Sequence, residues 1–281
     1  MEKIILNNGV AIPKLGFGVF QIESDQTTNA VLEAIDAGYR MIDTAQAYFN
    51  EEQVGLAIEA TEVPREELFI TTKVWFTNYG YEKTLESIAE SMKKLKVDYL
   101  DLVLLHQPFG DYYGAYRALV ELYNEGKVKS IGVSNFYPDR LSDIAHFSEM
   151  APHVNQVETN VFNQQIKAGE NMKKHKVLHQ AWSPLAAGQN DLFENELLME
   201  IAKKYNKSIA QVILRWLTQR DIVVLSKSIN KNRMIENLNI FDFELTESEM
   251  ESIKKLDTGK SQFFDHQTPD AVEYMASFPA I

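Results

Sequence analysis

The sequence predicts a single (β/α)8 barrel of the TIM type. Three observations point to it. Short apolar segments alternate with amphipathic helical stretches along most of the chain, and that alternation argues for a parallel sheet covered by helices. About eight such segments follow an N-terminal hairpin, enough to close a barrel in one domain. The 281 residues contain no Pro/Gly/Ser linker, charge block or low-complexity run. One domain over 1–281 is therefore expected, with the hairpin at 1–12 and an irregular, aromatic-bearing tail at 260–281. A doubly wound open sheet is the rival arrangement.

The elements follow in order. Lys3–Leu6 and Val10–Ile12 flank Asn7-Asn8-Gly9, and Asn-Gly is a strong hairpin signal. Leu15–Gly18 is a short strand whose glycines allow close backbone approach. A helix opens at Ser24, turns Val31, Ala34 and Ile35 inward, and stops at Gly38, which takes the left-handed cap conformation without a Cβ penalty. Met41–Asp43 is the next strand and leads to a helix over 51–60. Leu68–Lys73 is rich in β-formers, and its helix carries Leu85, Ile88, Met92 and Leu95 at helical spacing. Tyr99–Leu105 is a near-continuous apolar run, as expected of a strand covered on both faces. Its helix presents Tyr116, Leu119, Val120 and Tyr123 and ends at Gly126. Lys129–Ser134, Val154–Glu158, Val177–Trp182 and Ile222–Leu225 complete the strands. Thr246-Glu247-Ser248-Glu249 is a capping box that opens a helix with Met250, Ile253 and Leu256 inward.

The bulk numbers exclude several functions. Net charge is −12 and pI about 5.0, so non-specific nucleic-acid binding is not expected. No cysteine is present, which removes disulfides, thiolate catalysis and thiolate-bound metals. The first residues carry no apolar core or small-residue cleavage site, and no run reaches the ~18 apolar residues of a membrane span. A cytoplasmic, monomeric protein is expected.

In a barrel, polar residues at the C-terminal ends of strands meet at one mouth. Asp43 closes the second strand, with Tyr48 on the loop beyond it. Lys73 closes the third and His106 the fourth. Ser134-Asn135, Gln156 with Glu158, Trp182-Ser183 and Ser226-Lys227-Ser228 close the rest. Four titratable groups ending three successive units mark a candidate centre. The spacing of His175 and His179 crosses a helix-to-strand boundary, and H-E-x-x-H is absent, so no metal is expected. Gly16-Phe17-Gly18 lacks a third glycine and Gly126-Lys127 lacks the rest of a P-loop. Lys227-Ser228-Ile229-Asn230-Lys231-Asn232-Arg233 holds three cations and no acid, where barrels often bind phosphate.

The motifs LGFGVF (15–20), GYRMIDTAQAYFNEEQVG (38–55), LFITTKVW (68–75), DYLDLVLLHQP (98–108), GVSNF (132–136), VNQVE (154–158), AQVILRWL (210–217) and KSINKNRMIEN (227–237) resemble the aldo-keto reductase family from end to end. The likeness is nearest to its small bacterial and protozoan members of the 2,5-diketogluconate and glyoxal reductase type. The resemblance implies a (β/α)8 barrel that binds NADPH without a Rossmann domain. It places catalysis on Asp43, Tyr48, Lys73 and His106. It places the cofactor along Gly18, Val19, Phe20 and Asp43, with Ser134, Asn135 and Gln156 at the nicotinamide amide and Trp182 on its ring. Ser183 and Leu185 follow the pyrophosphate, and Lys227, Ser228, Arg233 and Asn237 take the 2′-phosphate and adenine.

The implied reaction is NADPH-dependent reduction of small aldehydes and ketones, with Tyr48 as the acid. An NADPH-binding regulatory subunit is the alternative, and a glycosidase pairing Asp43 with Glu158 is a third reading. Lys73 is expected to favour the Tyr48 phenolate, since a charge ~4 Å away is worth up to ~4 kcal/mol at an effective dielectric of ~20. The expected substrate site holds Tyr48, His106, Trp75 and Phe109, with Phe20, Phe263 and Phe264 around it. Three departures from the family pattern stand out. Ser226 replaces a common Pro, which is expected to loosen the phosphate loop. Asn160 replaces a common His and Phe49 a frequent Gly, both expected to bear on substrate preference.

Overall fold

The eight apolar segments close on themselves. A computed structural model of the chain describes residues 2–281. The hairpin comes first, β1 (Lys3–Ile5) against β2 (Ala11–Pro13), antiparallel with Ile5 opposite Ala11. The barrel strands are β3 (Leu15–Gly18), β4 (Met41–Asp43), β5 (Phe69–Val74), β6 (Leu102–Leu105), β7 (Ile131–Ser134), β8 (Val154–Glu158), β9 (Leu178–Trp182) and β10 (Val223–Ser226). Each pairs in parallel with its neighbour, and β10 returns to β3 with Val224 opposite Leu15. The barrel is closed, which decides against the open sheet. Gly16 explains one tight contact. A Cβ there would lie 2.3 Å from Met41 Cε and 2.8 Å from Leu225 Cδ2.

Helices cover the outside: α1 (Ser24–Ala37), α2 (Glu51–Ala60), α3 (Tyr81–Leu95), α4 (Tyr112–Asn124), α5 (Pro138–Phe147), α6 (Ile166–Lys174), α7 (Glu196–Tyr205), α8 (Ile209–Gln219), α9 (Lys231–Leu238), α10 (Glu247–Lys254) and α11 (Pro269–Ala276). Gly38 ends α1 at φ 114°. The Thr246–Glu249 capping box is present. No helix among the described residues is long and apolar enough to cross a membrane.

The two ends of the barrel differ in character. Leu6 and Ile12 of the hairpin pack against Met41, Phe69, Leu102, Val154 and Val223, most of them at strand beginnings. That apolar plug seals the N-terminal end, and Asn7 and Asn8 tie it down through Pro152 O and Lys129 O. The opposite end collects the buried polar residues Asp43, Lys73, Ser134, Gln156 and Glu158.

Several strand limits shift by a residue or more from the sequence reading: the last two barrel strands run Leu178–Trp182 and Val223–Ser226, and the hairpin strands also move. The third strand runs to Val74 rather than Lys73. The fourth begins at Leu102, with Leu100 making only an isolated bridge to Val128. The fifth begins at Ile131. The tail is a larger correction. It is not irregular throughout, because Thr268 caps α11 by accepting from Ala271 N and Pro269 takes the first helical position. Pro tolerates that position because its missing N–H would be unpaired there anyway. Ala271 and Met275 of α11 then pack on Trp75 and Phe109.

Gly55 lets α2 lie against the end of α3. A Cβ on Gly55 would stand 2.1 Å from the Lys94 carbonyl oxygen. Gly55→Ala should therefore lower the unfolding free energy by about 1–3 kcal/mol through overpacking, despite gaining about 1 kcal/mol of helix propensity. Urea denaturation checks this, and an alanine variant at least as stable as the parent would contradict the packing described.

Candidate active site

Asp43 is the last residue of β4 and Lys73 the fifth of β5. Their strands pair with Asp43 opposite Thr71, so both side chains reach the polar end of the barrel. Lys73 is fully buried and Asp43 nearly so. Lys73 Nζ donates to Asp43 Oδ1 at 2.5 Å, to Thr44 O at 3.0 Å and to the Tyr48 hydroxyl at 3.2 Å. Those three contacts use all three ammonium protons. Asp43 Oδ2 accepts from Gln156 Nε2 at 3.0 Å, and the same amide group donates to Gln180 Oε1 at 3.0 Å. One polar chain thus links β4, β5, β8 and β9 across the barrel.

Tyr48 ends a 3-10 turn, Gln46–Tyr48. Gln46 locks that turn. Its Oε1 accepts from Trp75 N at 2.9 Å and Asn78 Nδ2 at 3.0 Å, and its Nε2 donates to Ser91 Oγ at 3.2 Å. Asn50 holds the far side by donating to Val19 O at 3.0 Å and accepting from Thr44 Oγ1 at 3.0 Å. Phe49, directly after Tyr48, has φ 56° and is 69% exposed. A glycine would adopt that backbone freely, so the residue matters for the turn, and its ring points away from the buried centre.

His106 follows β6, its N–H bound to Val74 O at 3.0 Å. Its ring lies edge-on to Tyr48 at 5.6 Å and to Trp75 at 5.2 Å. Nδ1 is buried with no hydrogen-bond partner among the described residues. Burial first, then Lys73 and His266, hold the imidazole well below its ordinary pKa. It is therefore neutral at pH 7.

Burial alone would push Lys73 down, but Asp43 and then Tyr48 reverse this, and the ammonium is held above its usual value. Burial pushes Asp43 up, and Lys73 pulls it back. Tyr48 departs from expectation. Burial raises the phenol, and Lys73 offsets only part of that rise. The ring therefore carries its proton throughout the neutral range instead of leaning toward phenolate. Such a group can give a proton to an oxyanion while an ammonium stands ready to stabilise the phenolate left behind.

The other candidate residues group around this centre. Ser134 Oγ donates to Gln156 O at 2.8 Å. Asn135, at φ 63°, donates to His106 O at 3.1 Å and accepts from Trp182 Nε1 at 2.9 Å. That bond fixes the half-buried indole on its edge. Gly18 pairs with Asp43, and Val19 N donates to Asp43 O at 3.1 Å. Phe20 is 54% exposed, with its ring 4.9 Å from Tyr48. Ser183 and Leu185 lead into a loop with left-handed residues at Ser183, Ala186, Ala187, Asn190 and Asp191. Lys227, Lys231 and Arg233 are exposed around the start of α9, Ser228 is half-buried and Asn237 is buried. Asn230 caps that helix, accepting from Asn232 N and Arg233 N.

Trp75 and Phe109 are buried, and Phe109 stacks on His266 at 6.4 Å. They form a packed wall with α11. Phe263 is exposed and Phe264 half-buried. A cavity of about 540 Å³ opens beside the centre, lined by Pro108, Asn135, Tyr137, Arg140, His266 and Thr268, among others.

Two departures acquire structural reasons that differ from those expected. Ser226 Oγ lies 2.9 Å from the buried Tyr39 hydroxyl, so it ties β10 to the chain after α1 and does not simply loosen the loop. Asn160 is fully buried. It donates to Glu158 at 3.1 Å and accepts from Phe162 N and Asn163 N at 3.0 Å. It shapes a turn and not the pocket surface. Glu158 faces that turn and the tail, not Asp43, which removes the pairing a glycosidase needs. His175 Nε2 faces Ser142 Oγ and His179 Nε2 faces Thr159 Oγ, so the two rings do not converge. Gln46, Asn50, Gln180 and His266 are the residues that sequence reasoning missed. Of these, Gln46 and Asn50 lie in the motif around Tyr48 and carried a signal.

Comparisons with known proteins identify the family. The sequence profile described as Aldo/keto reductase family matches residues 14–258. The glyoxal reductase of Bacillus subtilis (strain 168) is 47% identical over 257 residues, covering 91% of this chain and 92% of that protein. The 9,11-endoperoxide prostaglandin H2 reductase of Trypanosoma cruzi (strain CL Brener) is 46% identical over 260 residues, covering 92% of each. A crystal structure of a Bombyx mori aldo-keto reductase in complex with NADP superposes with a TM-score of 0.90 at 32% identity, covering 99% of this chain and 98% of that one. A parallel barrel with this ammonium–carboxylate–phenol cluster, matched along nearly its whole length, belongs to the aldo/keto reductase family.

Proposed function

We propose that the chain reduces small aldehydes and ketones to alcohols with NADPH, as one barrel domain over 1–281. The observation that carries this is the buried Lys73 ammonium held between Asp43 and Tyr48. The relatives support it: one is named a glyoxal reductase and a structural neighbour holds NADP. Glyoxals or keto-sugar derivatives are the proposed substrate class. A monomer in the cytoplasm that binds neither nucleic acid nor membrane is the proposed context.

The residues present fit the dinucleotide. Lys227, Lys231 and Arg233 are exposed cations at the start of α9 and meet no carboxylate among the described residues. Lys14, Lys96, Lys204 and Lys207 do. Three unpaired cations in a chain of net charge −12 suit an anionic phosphate. Asn230, Lys227, Ser228, Arg233 and Asn237 would hold the adenosine end. Ser183 and Leu185 would follow the pyrophosphate. Trp182, Ser134, Asn135, Gln156 and the Gly18–Phe20 turn would hold the nicotinamide end. When bound, that group supplies the hydride.

The protein's own part is proton supply and orientation. Neutral His106 can donate one hydrogen bond and so fix the carbonyl oxygen near the Tyr48 hydroxyl. As charge builds on that oxygen, Tyr48 gives up its hydroxyl proton, and the phenolate is stabilised by Lys73 Nζ. Asp43 and Thr44 O keep Lys73 aimed at the phenol. Solvent then returns the proton to Tyr48. The complete acid set favours turnover over a purely regulatory subunit.

Tyr48→Phe should lower kcat by at least about 100-fold while NADPH affinity stays within a few-fold. Aldehyde-dependent loss of absorbance and a fluorescence titration measure the two quantities. Near-normal turnover in this variant rules out Tyr48 as the acid. Arg233→Ala should weaken NADPH by about tenfold more than NADH. Equal weakening of both would mean that Arg233 does not read the 2′-phosphate.

A further inference from the structure

Glu158 has no part in the chemistry above, yet it is a fully buried carboxylate at the last position of β8. A buried carboxylate is costly unless hydrogen bonds replace its lost water. Here the donors are neutral. Oε1 accepts from Asn160 Nδ2 at 3.1 Å and from Gln262 N at 2.9 Å, and Oε2 accepts from Ser261 Oγ at 2.5 Å. Two of these three donors come from the tail, more than 100 residues along the chain. Ser261 Oγ in turn accepts from Phe263 N at 3.1 Å and Phe264 N at 2.9 Å. One carboxylate and one hydroxyl thus organise the whole turn 261–264.

That turn delivers two rings to the mouth of the barrel. Phe263 sits 5.4 Å from Trp182, which pairs with Glu158 across β8 and β9. Phe264 sits 4.8 Å from His266 and joins the wall formed by Trp75, Phe109, Ala271 and Met275. Gln262 Oε1 also accepts from Asn190 Nδ2 of the loop after Trp182. We infer that Glu158 is a positioning residue: through Ser261 and Gln262 N it latches the C-terminal segment 261–264 onto the barrel mouth and so completes the wall against which the carbonyl substrate is bound. The inference rests on the reductase reading for its substrate and on the geometry alone for the latch.

The hydroxyl is the place to test it. Ser261 is half-buried on the tail, so Ser261→Ala leaves the barrel core unchanged, and Ser261→Thr restores the hydroxyl. Glu158→Gln is the second variant. Its amide would present a donor either to Asn160 Nδ2 and Gln262 N, which can only donate, or to a Ser261 oxygen already accepting two N–H bonds. Trypsin cleavage after the exposed Lys260 reports docking without any substrate. Steady-state kinetics with an aldehyde report the wall.

Ser261→Ala should speed cleavage after Lys260 and raise KM for the aldehyde, each by about threefold or more, with a smaller change in kcat. Glu158→Gln should do the same, and Ser261→Thr should behave as the parent on both counts. Cleavage at the parent rate in Ser261→Ala overturns the latch. Faster cleavage with KM raised less than about threefold overturns its role in substrate binding. A parent chain that fails to oxidise NADPH when aldehydes are supplied defeats the reductase reading instead, and the cleavage comparison still judges the latch.

Discussion

A single buried ammonium sets the terms for the rest of this molecule. Lys73 is fully removed from water, and an ion in that position costs several kcal/mol unless neighbours replace its hydration. Asp43, Thr44 O and Tyr48 do so at 2.5, 3.0 and 3.2 Å. Each partner must then be held in turn. Asp43 is fixed by Gln156 and Gln156 by Gln180. Tyr48 is fixed by a turn that Gln46 and Asn50 clamp from two sides. The charge therefore draws residues from four regions of the chain into one arrangement, and loss of either member of the ion pair would strand the other without water.

The barrel makes this arrangement possible by dividing its ends. The hairpin fills the N-terminal end with Leu6 and Ile12, which frees the other end for polar residues that would be intolerable in a fully apolar core. At that end the protein keeps the phenol protonated, the imidazole neutral and the lysine charged. Burial supplies the first two states, and Asp43 supplies the third against burial. The tail completes the wall: Ser261 and Gln262 are pinned by Glu158, and α11 packs on Trp75 and Phe109.

Much of the barrel was legible because parallel strands buried on both faces are short apolar runs, and the residue that ends each run faces the mouth. Asp43, Lys73 and His106 could be placed there from that rule alone, and the structure brings them and Tyr48 together. Residues that depend on distant partners were not legible. Nothing near Glu158 in sequence announces Ser261, and Asn160 reads as a pocket residue until its bonds to Phe162 N and Asn163 N are seen. The helix of the tail was overlooked although Thr268-Pro269 carries a start signal, because its eight residues hold only a short apolar face. The direction of the Tyr48 shift was missed for a different reason. The sequence shows the neighbouring charge, but only the fold shows how much water the ring has lost.

The claim at the centre is that Lys73 stabilises the phenolate form of Tyr48 while burial opposes it. Titration of Tyr48 by NMR, with tyrosine labelled at Cζ and the signal identified by its absence in a phenylalanine variant, measures this directly. The account predicts that the folded parent titrates above the ordinary phenol value of about 10 and that Lys73→Met moves the midpoint higher still. A midpoint that stays put or falls when the ammonium is removed would contradict it.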